Sequence, residues 1–130
     1  MAVSKNMSES ITIINEPVIA ININQTYRRG ISAGELYDCT RGIWRLDRDR
    51  AERAQFAFAV YQGIIKEVYE INQWHQEGST EYKNRATPST PTKNRFEFIG
   101  KVAKSDVRDK YVGRQMSERH GQNPIRYYNC

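Results

Sequence analysis

Cysteine and histidine are scarce in this sequence. Cys39 and Cys130 are the only cysteines, far apart in a chain of 130 residues, and His75 and His120 are the only histidines. Two isolated thiols exclude a disulfide framework, and no Cys/His spacing approaches the roughly four ligands of a structural zinc site. No metal and no cofactor are therefore expected, and both cysteines read as reduced, structural thiols. Long apolar runs are also missing: none nears the ~20 residues of a membrane-spanning helix. The first ten residues are polar with a single Lys5 and lack the apolar stretch of a signal peptide. The expectation is a cytoplasmic protein with no membrane partner. There is no internal repeat, and no phosphate-binding glycine loop, GxGxxG, HExxH or GxSxG motif. A catalytic function therefore has no motif to rest on, and the chemistry to look for is binding.

What the sequence does have is aromatic side chains and basic charge. There are 8 Tyr, 4 Phe and 2 Trp, against 38% hydrophobic and 27% charged residues overall. That balance suits one ordinary globular domain, and tyrosine brings apolar area and a polar tip to the same surface. The net charge is +5 and is unevenly placed. Residues 1–82 carry 9 Lys/Arg against 11 Asp/Glu, whereas residues 83–130 carry 11 against 4. A basic half points to a polyanionic partner; a solvated surface that keeps the chain soluble is the plainer alternative.

Residues 1–16 read as a flexible arm, and 17–130 as a single α+β domain. Residues 18–23 are short and β-branched and predict a strand. Ser32 and Glu35 form a capping box that opens a short helix ending near Arg41-Gly42. Residues 43–46 predict a strand, and the densely charged 47–54 an exposed helical turn. Phe56, Phe58 and Val60 alternate with Ala57, Ala59 and Tyr61, the pattern of a strand buried on both faces. Gln62-Gly63 marks a turn, and 64–71 a second strand. Residues 74–94 read as a long polar loop. Residues 95–102 alternate cleanly as a strand, 105–112 predict a helix capped by Ser105 and ended by Gly113, and 125–128 a last strand. About six strands and two or three short helices favour an α+β fold: a mostly antiparallel sheet, or a small closed barrel with helices at its ends.

Several pieces taken together resemble a bacterial family. They are Glu35-Leu36-Tyr37, Thr40-Arg41-Gly42-Ile43-Trp44-Arg45-Leu46, Ala57-Phe58-Ala59-Val60-Tyr61-Gln62-Gly63-Ile64-Ile65-Lys66-Glu67-Val68-Tyr69, Arg95-Phe96-Glu97-Phe98-Ile99-Gly100 and Gln122-Asn123-Pro124-Ile125-Arg126-Tyr127. The set is similar to the C-terminal accessory part of LEM-domain-type GIY-YIG endonuclease-like proteins. The nuclease block of that family, with its paired tyrosine strands, arginine and metal-binding glutamate, does not precede Pro17, so nuclease activity is not implied. The resemblance implies an accessory module, and strand order with aromatic-rich strands suggests by analogy a PUA-like pseudo-barrel of the EVE, ASCH or YTH kind.

Within that frame the candidate ligand-binding residues are Trp44, Arg45, Tyr61, Gln122, Asn123, Arg126 and Tyr127. Trp44 can stack on a base, or it can anchor a core. Amides such as Gln122 and Asn123 match the donor and acceptor edge of a nucleobase, or they cap backbone groups in a turn. Arg126 can take a phosphate in bidentate fashion, and Tyr127 offers a stacking face. Arg28, Arg29, Arg41, Lys110, Arg114 and Arg119 are candidates for a phosphate-contacting rim. Asp47, Asp49 and Glu52 alternate with Arg48, Arg50 and Arg53 and read as surface ion pairs rather than as a metal cluster. His120 reads as a solvated or anion-binding side chain rather than a general base. Two binding functions use the same residues. One is a non-catalytic module that holds nucleic acid, including a flipped or modified base in an aromatic pocket with a basic rim. The other is a receptor or sponge for a small or cyclic nucleotide, of the kind used in phage defence or anti-defence. A nucleotide- or phosphodiester-processing enzyme is the third reading. Pairing of two copies through strand edges stays open.

Overall fold

A computed structural model describes residues 14–76, 80, 95–116 and 123–130. It is an α+β fold: one six-stranded mixed sheet, curled into a half-barrel, with three short helices. In chain order the elements are β1 (Val18–Asn22), α1 (Ala33–Arg41), β2 (Trp44–Arg45), α2 (Arg48–Arg53), β3 (Phe56–Tyr61), β4 (Ile64–Gln76), β5 (Arg95–Val102), α3 (Ser105–Tyr111) and β6 (Ile125–Tyr128). The sheet order is β2-β5-β4-β3-β1-β6. The β1/β3 pair is parallel, and the other four pairings are antiparallel.

Alternation along β1 and β3 divides the core into two layers. Val18, Ala20, Phe56, Phe58 and Val60 face outward with Ile65 and Val68, under Val107 and Tyr111 of α3 and the following Met116. Ile19, Ile21, Ala57 and Ala59 face inward with Tyr69, Trp74, Phe98 and Ile125. The two inward alanines are small, and the inner concavity is filled by Leu36 and Tyr37 of α1 and Ala51 of α2. Tyr37 lies 5.4 Å from Tyr69, and Trp74 lies 5.2 Å from Phe98, between ring centres. Strands buried on both faces need apolar residues at every position, as expected here for 56–61.

The curl comes from β4, which carries two bulges against its neighbours. Lys66 is the extra residue between the Val60–Ile65 and Ala59–Glu67 pairs, and Asn72 is the extra residue between the Ile71–Gly100 and Gln73–Ile99 pairs. Each bulge bends the strand and increases its twist. At the second bulge the backbones approach so closely that a Cβ on Gly100 would sit 2.3 Å from the Glu70 carbonyl oxygen. The Gly100 N–H donates instead to the Tyr37 hydroxyl at 2.9 Å, which pins α1 to the sheet. The β3–β4 hairpin turns on Gln62 (φ 50°) and Gly63 (φ 81°), the pair of positive φ values that a tight two-residue connection requires.

Two expectations change. Trp74, His75 and Gln76 belong to β4, not to a loop, because the Asn72 bulge interrupts the alternation and then returns Trp74 to the inner face. Ser105 is the first residue of α3, and Lys104 takes the cap position without a side-chain bond. Residues 14–16, at the end of the expected arm, are docked: the Asn129 amide donates to the carbonyls of Ile14 and Glu16, and Lys110 Nζ (2.6 Å) and the Tyr111 hydroxyl (2.5 Å) both bond the Glu16 carboxylate. The Ser32–Glu35 capping box, in contrast, is formed in both directions.

Candidate functional site

The two edge strands, β2 and β6, share no ladder, and side-chain contacts join β6 to the segment that follows β2. Tyr127 of β6 accepts the Asp47 backbone N–H through its hydroxyl at 2.8 Å, and the Arg50 guanidinium lies 4.1 Å over the Tyr127 ring. Arg50 Nε also donates to the Cys130 carbonyl at 3.2 Å. Burial raises the pKa of the Tyr127 phenol, so it stays protonated. Further along the seam, past the start of β6, the edges part and leave an open cleft of about 520 Å³.

Trp44 forms one wall of this cleft and Pro124 another. The Trp44 indole N–H donates to the Thr40 carbonyl at 2.8 Å, so the last turn of α1 fixes how the half-buried ring is held. The floor is the turn at residues 22–26, with Asn22, Asn24, Gln25 and Thr26 all lining the space. Two of these amides have their oxygens committed. Asn22 Oδ1 accepts the Asn24 N–H, and Asn24 Oδ1 accepts the Gln62 N–H of the β3–β4 turn, both at 2.8 Å. Their amino groups are thereby oriented as donors. The cleft thus combines an immobilised aromatic ring, polar groups of fixed sense and a volume in the range of small-molecule sites.

The expected binding residues fall in several places. Trp44 is in the cleft. Asn123 adjoins it, but its side-chain oxygen caps the Ile125 N–H at 2.9 Å, which is the turn-capping role. Tyr127 lies at the closing seam. Arg126, between Ile125 and Tyr127, points to the opposite, outward face, in register with Ala20; neighbours on a strand cannot share a face. Arg45 is exposed on the edge strand. Tyr61 packs 4.4 Å from Tyr27, between ring centres.

The expected phosphate-contacting rim does not converge on the cleft. Arg41 is a correction: only 2% exposed, it is an internal tie, bonded to Asp38 Oδ1 (3.4 Å), Thr80 Oγ1 (2.8 Å) and the Phe98 carbonyl (3.3 Å). Thr80 in turn donates from its N–H (2.9 Å) and hydroxyl to the fully buried Glu97 carboxylate. Lys110 is held by Glu16 on the outward side. Arg28 is exposed and paired with Glu35 at 3.0 Å, and Arg29 is exposed beside it. Arg114 is exposed next to the β3–β4 hairpin, its carbonyl accepting the Ile65 N–H at 2.9 Å. Gln122, Arg119 and His120 lie outside the described residues.

Among the described residues no three His, Cys, Asp or Glu side chains converge. Asp47 caps α2 by accepting from the Asp49 and Arg50 N–H groups, and Arg48 pairs with Glu52 at 3.0 Å, the surface pairing expected of this charged turn. A second cleft of about 320 Å³ over the Asn72 bulge has no aromatic wall, and its charges, Glu70 and Lys101, face each other in register. No helix among the described residues is long and apolar enough to cross a membrane.

The floor of the Trp44 cleft was missed in the sequence. The signal was present: Asn22, Asn24, Gln25 and Thr26 crowd polar, turn-forming side chains directly behind an apolar strand. Comparison with protein-family models, with curated proteins and with solved structures finds no match for this chain.

Proposed function

We propose that this protein is a non-catalytic module that binds nucleic acid by taking one unstacked base into the cleft beside Trp44. The observation that carries this reading is the Trp44 indole, locked by the Thr40 carbonyl, facing a turn of amide side chains across about 520 Å³. An aromatic face supplies sequence-tolerant stacking, and amide donors and acceptors supply the edge contacts that tell one base from another. Trp44 lies at the open mouth of the curled sheet, where a base extruded from a strand has access. The net charge of +5 favours a polyanion. The family resemblance, to an accessory module of GIY-YIG endonuclease-like proteins, suits a protein that holds nucleic acid without cutting it.

A small-nucleotide receptor is the second reading. It is favoured by the dispersal of the cations: Arg41 is internal, and Lys110 and Arg126 are on the outward side. A thermal-shift panel separates the two. Mononucleotides, cyclic dinucleotides, and short single and double strands are each offered at low and high salt. Nucleic-acid binding predicts stabilisation by strands that fades steeply with salt, because phosphate contacts release counterions. A mononucleotide or cyclic dinucleotide that stabilises strongly at both salt concentrations, with strands inert, supports the receptor. No shift with any of them overturns both.

A further inference from the structure

We propose that Tyr27, Tyr61 and Lys66 form a second platform continuous with the Trp44 cleft, so that the ligand is a single strand of at least two nucleotides rather than a mononucleotide. This rests on the reading of the Trp44 cleft as a base site.

The turn that floors the cleft also builds the platform. Thr26 lines the cleft, and the next residue is Tyr27. The N–H groups of Thr26 (3.1 Å) and Tyr27 (2.8 Å) both donate to the Ile23 carbonyl, so the cleft wall and the tyrosine are parts of one tight turn. Asn24 ties that turn to the β3–β4 hairpin through the Gln62 N–H, and Tyr61 stands immediately before it. The Tyr27 and Tyr61 rings lie 4.4 Å apart at 35°, both half-buried. A half-buried aromatic pair close in sequence to a first base site suits the stacking of a further base of a strand.

The cation is placed by a specific device. Lys66 is the extra residue of the first β4 bulge, and its ammonium sits 5.4 Å from the Tyr27 ring centre and 6.0 Å from that of Tyr61. A bulge re-aims a side chain that regular alternation would place elsewhere. The ammonium is therefore held within cation–π distance of both rings, where it can take the phosphate of a nucleotide stacked on the tyrosines. Arg114, exposed and beside the same hairpin, is a second cation at this end of the sheet. A mononucleotide seated on Trp44 uses neither group.

The test compares the full chain with Trp44→Ala, Tyr27→Ala and Lys66→Gln, titrated with thymidine monophosphate and with a short single-stranded oligothymidylate, after circular dichroism confirms folding. The wild type is expected to bind the oligomer about tenfold or more tighter than the monophosphate, the gain typical of one more stacked base. Tyr27→Ala should remove most of that gain and leave the monophosphate affinity within about twofold. Lys66→Gln leaves both rings in place, so it decides the case even where Tyr27→Ala misfolds: it should weaken oligomer binding and reduce the salt slope by about one phosphate. Oligomer affinity unchanged in both Tyr27→Ala and Lys66→Gln, while Trp44→Ala abolishes binding of either ligand, overturns the second platform alone. Wild-type binding of neither ligand, or binding indifferent to Trp44→Ala, overturns the cleft reading and the platform with it.

Discussion

The Tyr127 hydroxyl of β6 and the backbone N–H of Asp47, two residues past β2, meet at 2.8 Å, although the two edge strands β2 and β6 exchange no ladder bonds. A curled sheet with two free edges leaves unpaired backbone groups on both. Here one phenol, with Arg50 over its ring, bridges the gap and leaves the mouth beyond it open at Trp44 and Pro124. Closure at the seam and access at the mouth are thus set by neighbouring residues of one strand and the turn before it.

Tyr127→Phe removes the bridging hydroxyl and keeps the ring under Arg50. It should lower stability by about 0.5–1.5 kcal/mol, the worth of one hydrogen bond, read as a lower urea midpoint at unchanged slope. An unchanged midpoint would show that the seam does not depend on this contact.

Arg41→Met tests whether Arg41 is an internal tie or a ligand contact. Removing the buried guanidinium takes away its ion pair with Asp38 and its hold on Thr80, and breaking a buried pair typically costs about 3–5 kcal/mol. The variant should lose stability on that scale. A variant as stable as the wild type but weakened in binding would return Arg41 to the ligand surface.

Gly100→Ala places a methyl group 2.3 Å from the Glu70 carbonyl oxygen, a backbone atom that cannot rotate away. The bulge must shift, and the Tyr37 hydroxyl bond to the Gly100 N–H shifts with it. Overpacking of this kind costs about 1–3 kcal/mol, so the thermal midpoint should fall by several degrees. A midpoint equal to that of the wild type would contradict the close approach.

Acid should weaken the docking of residues 14–16. Burial raises the pKa of Glu16, but hydrogen bonds from Lys110 and Tyr111 outweigh it and hold the carboxyl below its ordinary 4.5. The folded state therefore binds this proton less readily than the unfolded chain. The contribution is full above pH 4.5 and is lost as pH falls through the lowered folded value. Urea midpoints measured from pH 6 to pH 3 should fall less steeply for Glu16→Gln than for the wild type. Equal slopes would contradict the pairing.

Local signals carried much of the fold. The strands at 95–102 and 125–128 match their expected bounds, and the turn before β6 is marked by Asn123-Pro124, but burial in β5 does not alternate as expected, since Glu97 is as buried as Phe98 and Val102 is exposed. The Ser32–Glu35 box marked the start of α1. What escaped was set by bulges and by contacts distant in sequence. Asn72 breaks the period of two and hides the second half of β4. The convergence of Trp44 with residues 22–26 depends on how far the sheet curls, which no local pattern states. The separation of Arg126 from Tyr127 follows from simple alternation, and a strand reading of 125–128 already implies it. The burial of Arg41 had a weaker sign, Asp38 three residues earlier on the same helix.

The two indole N–H resonances in a nitrogen-15 proton spectrum give the most direct measurement. Trp44 lines the cleft and Trp74 is buried in the inner core, so the two report separately. On titration with a short single-stranded oligonucleotide, the Trp44 indole signal and the amides of residues 22–26 should shift together, while Trp74 stays in place. Shifts confined to Arg126 and α3 on the outward face, with Trp44 unmoved, would contradict a base site in this cleft.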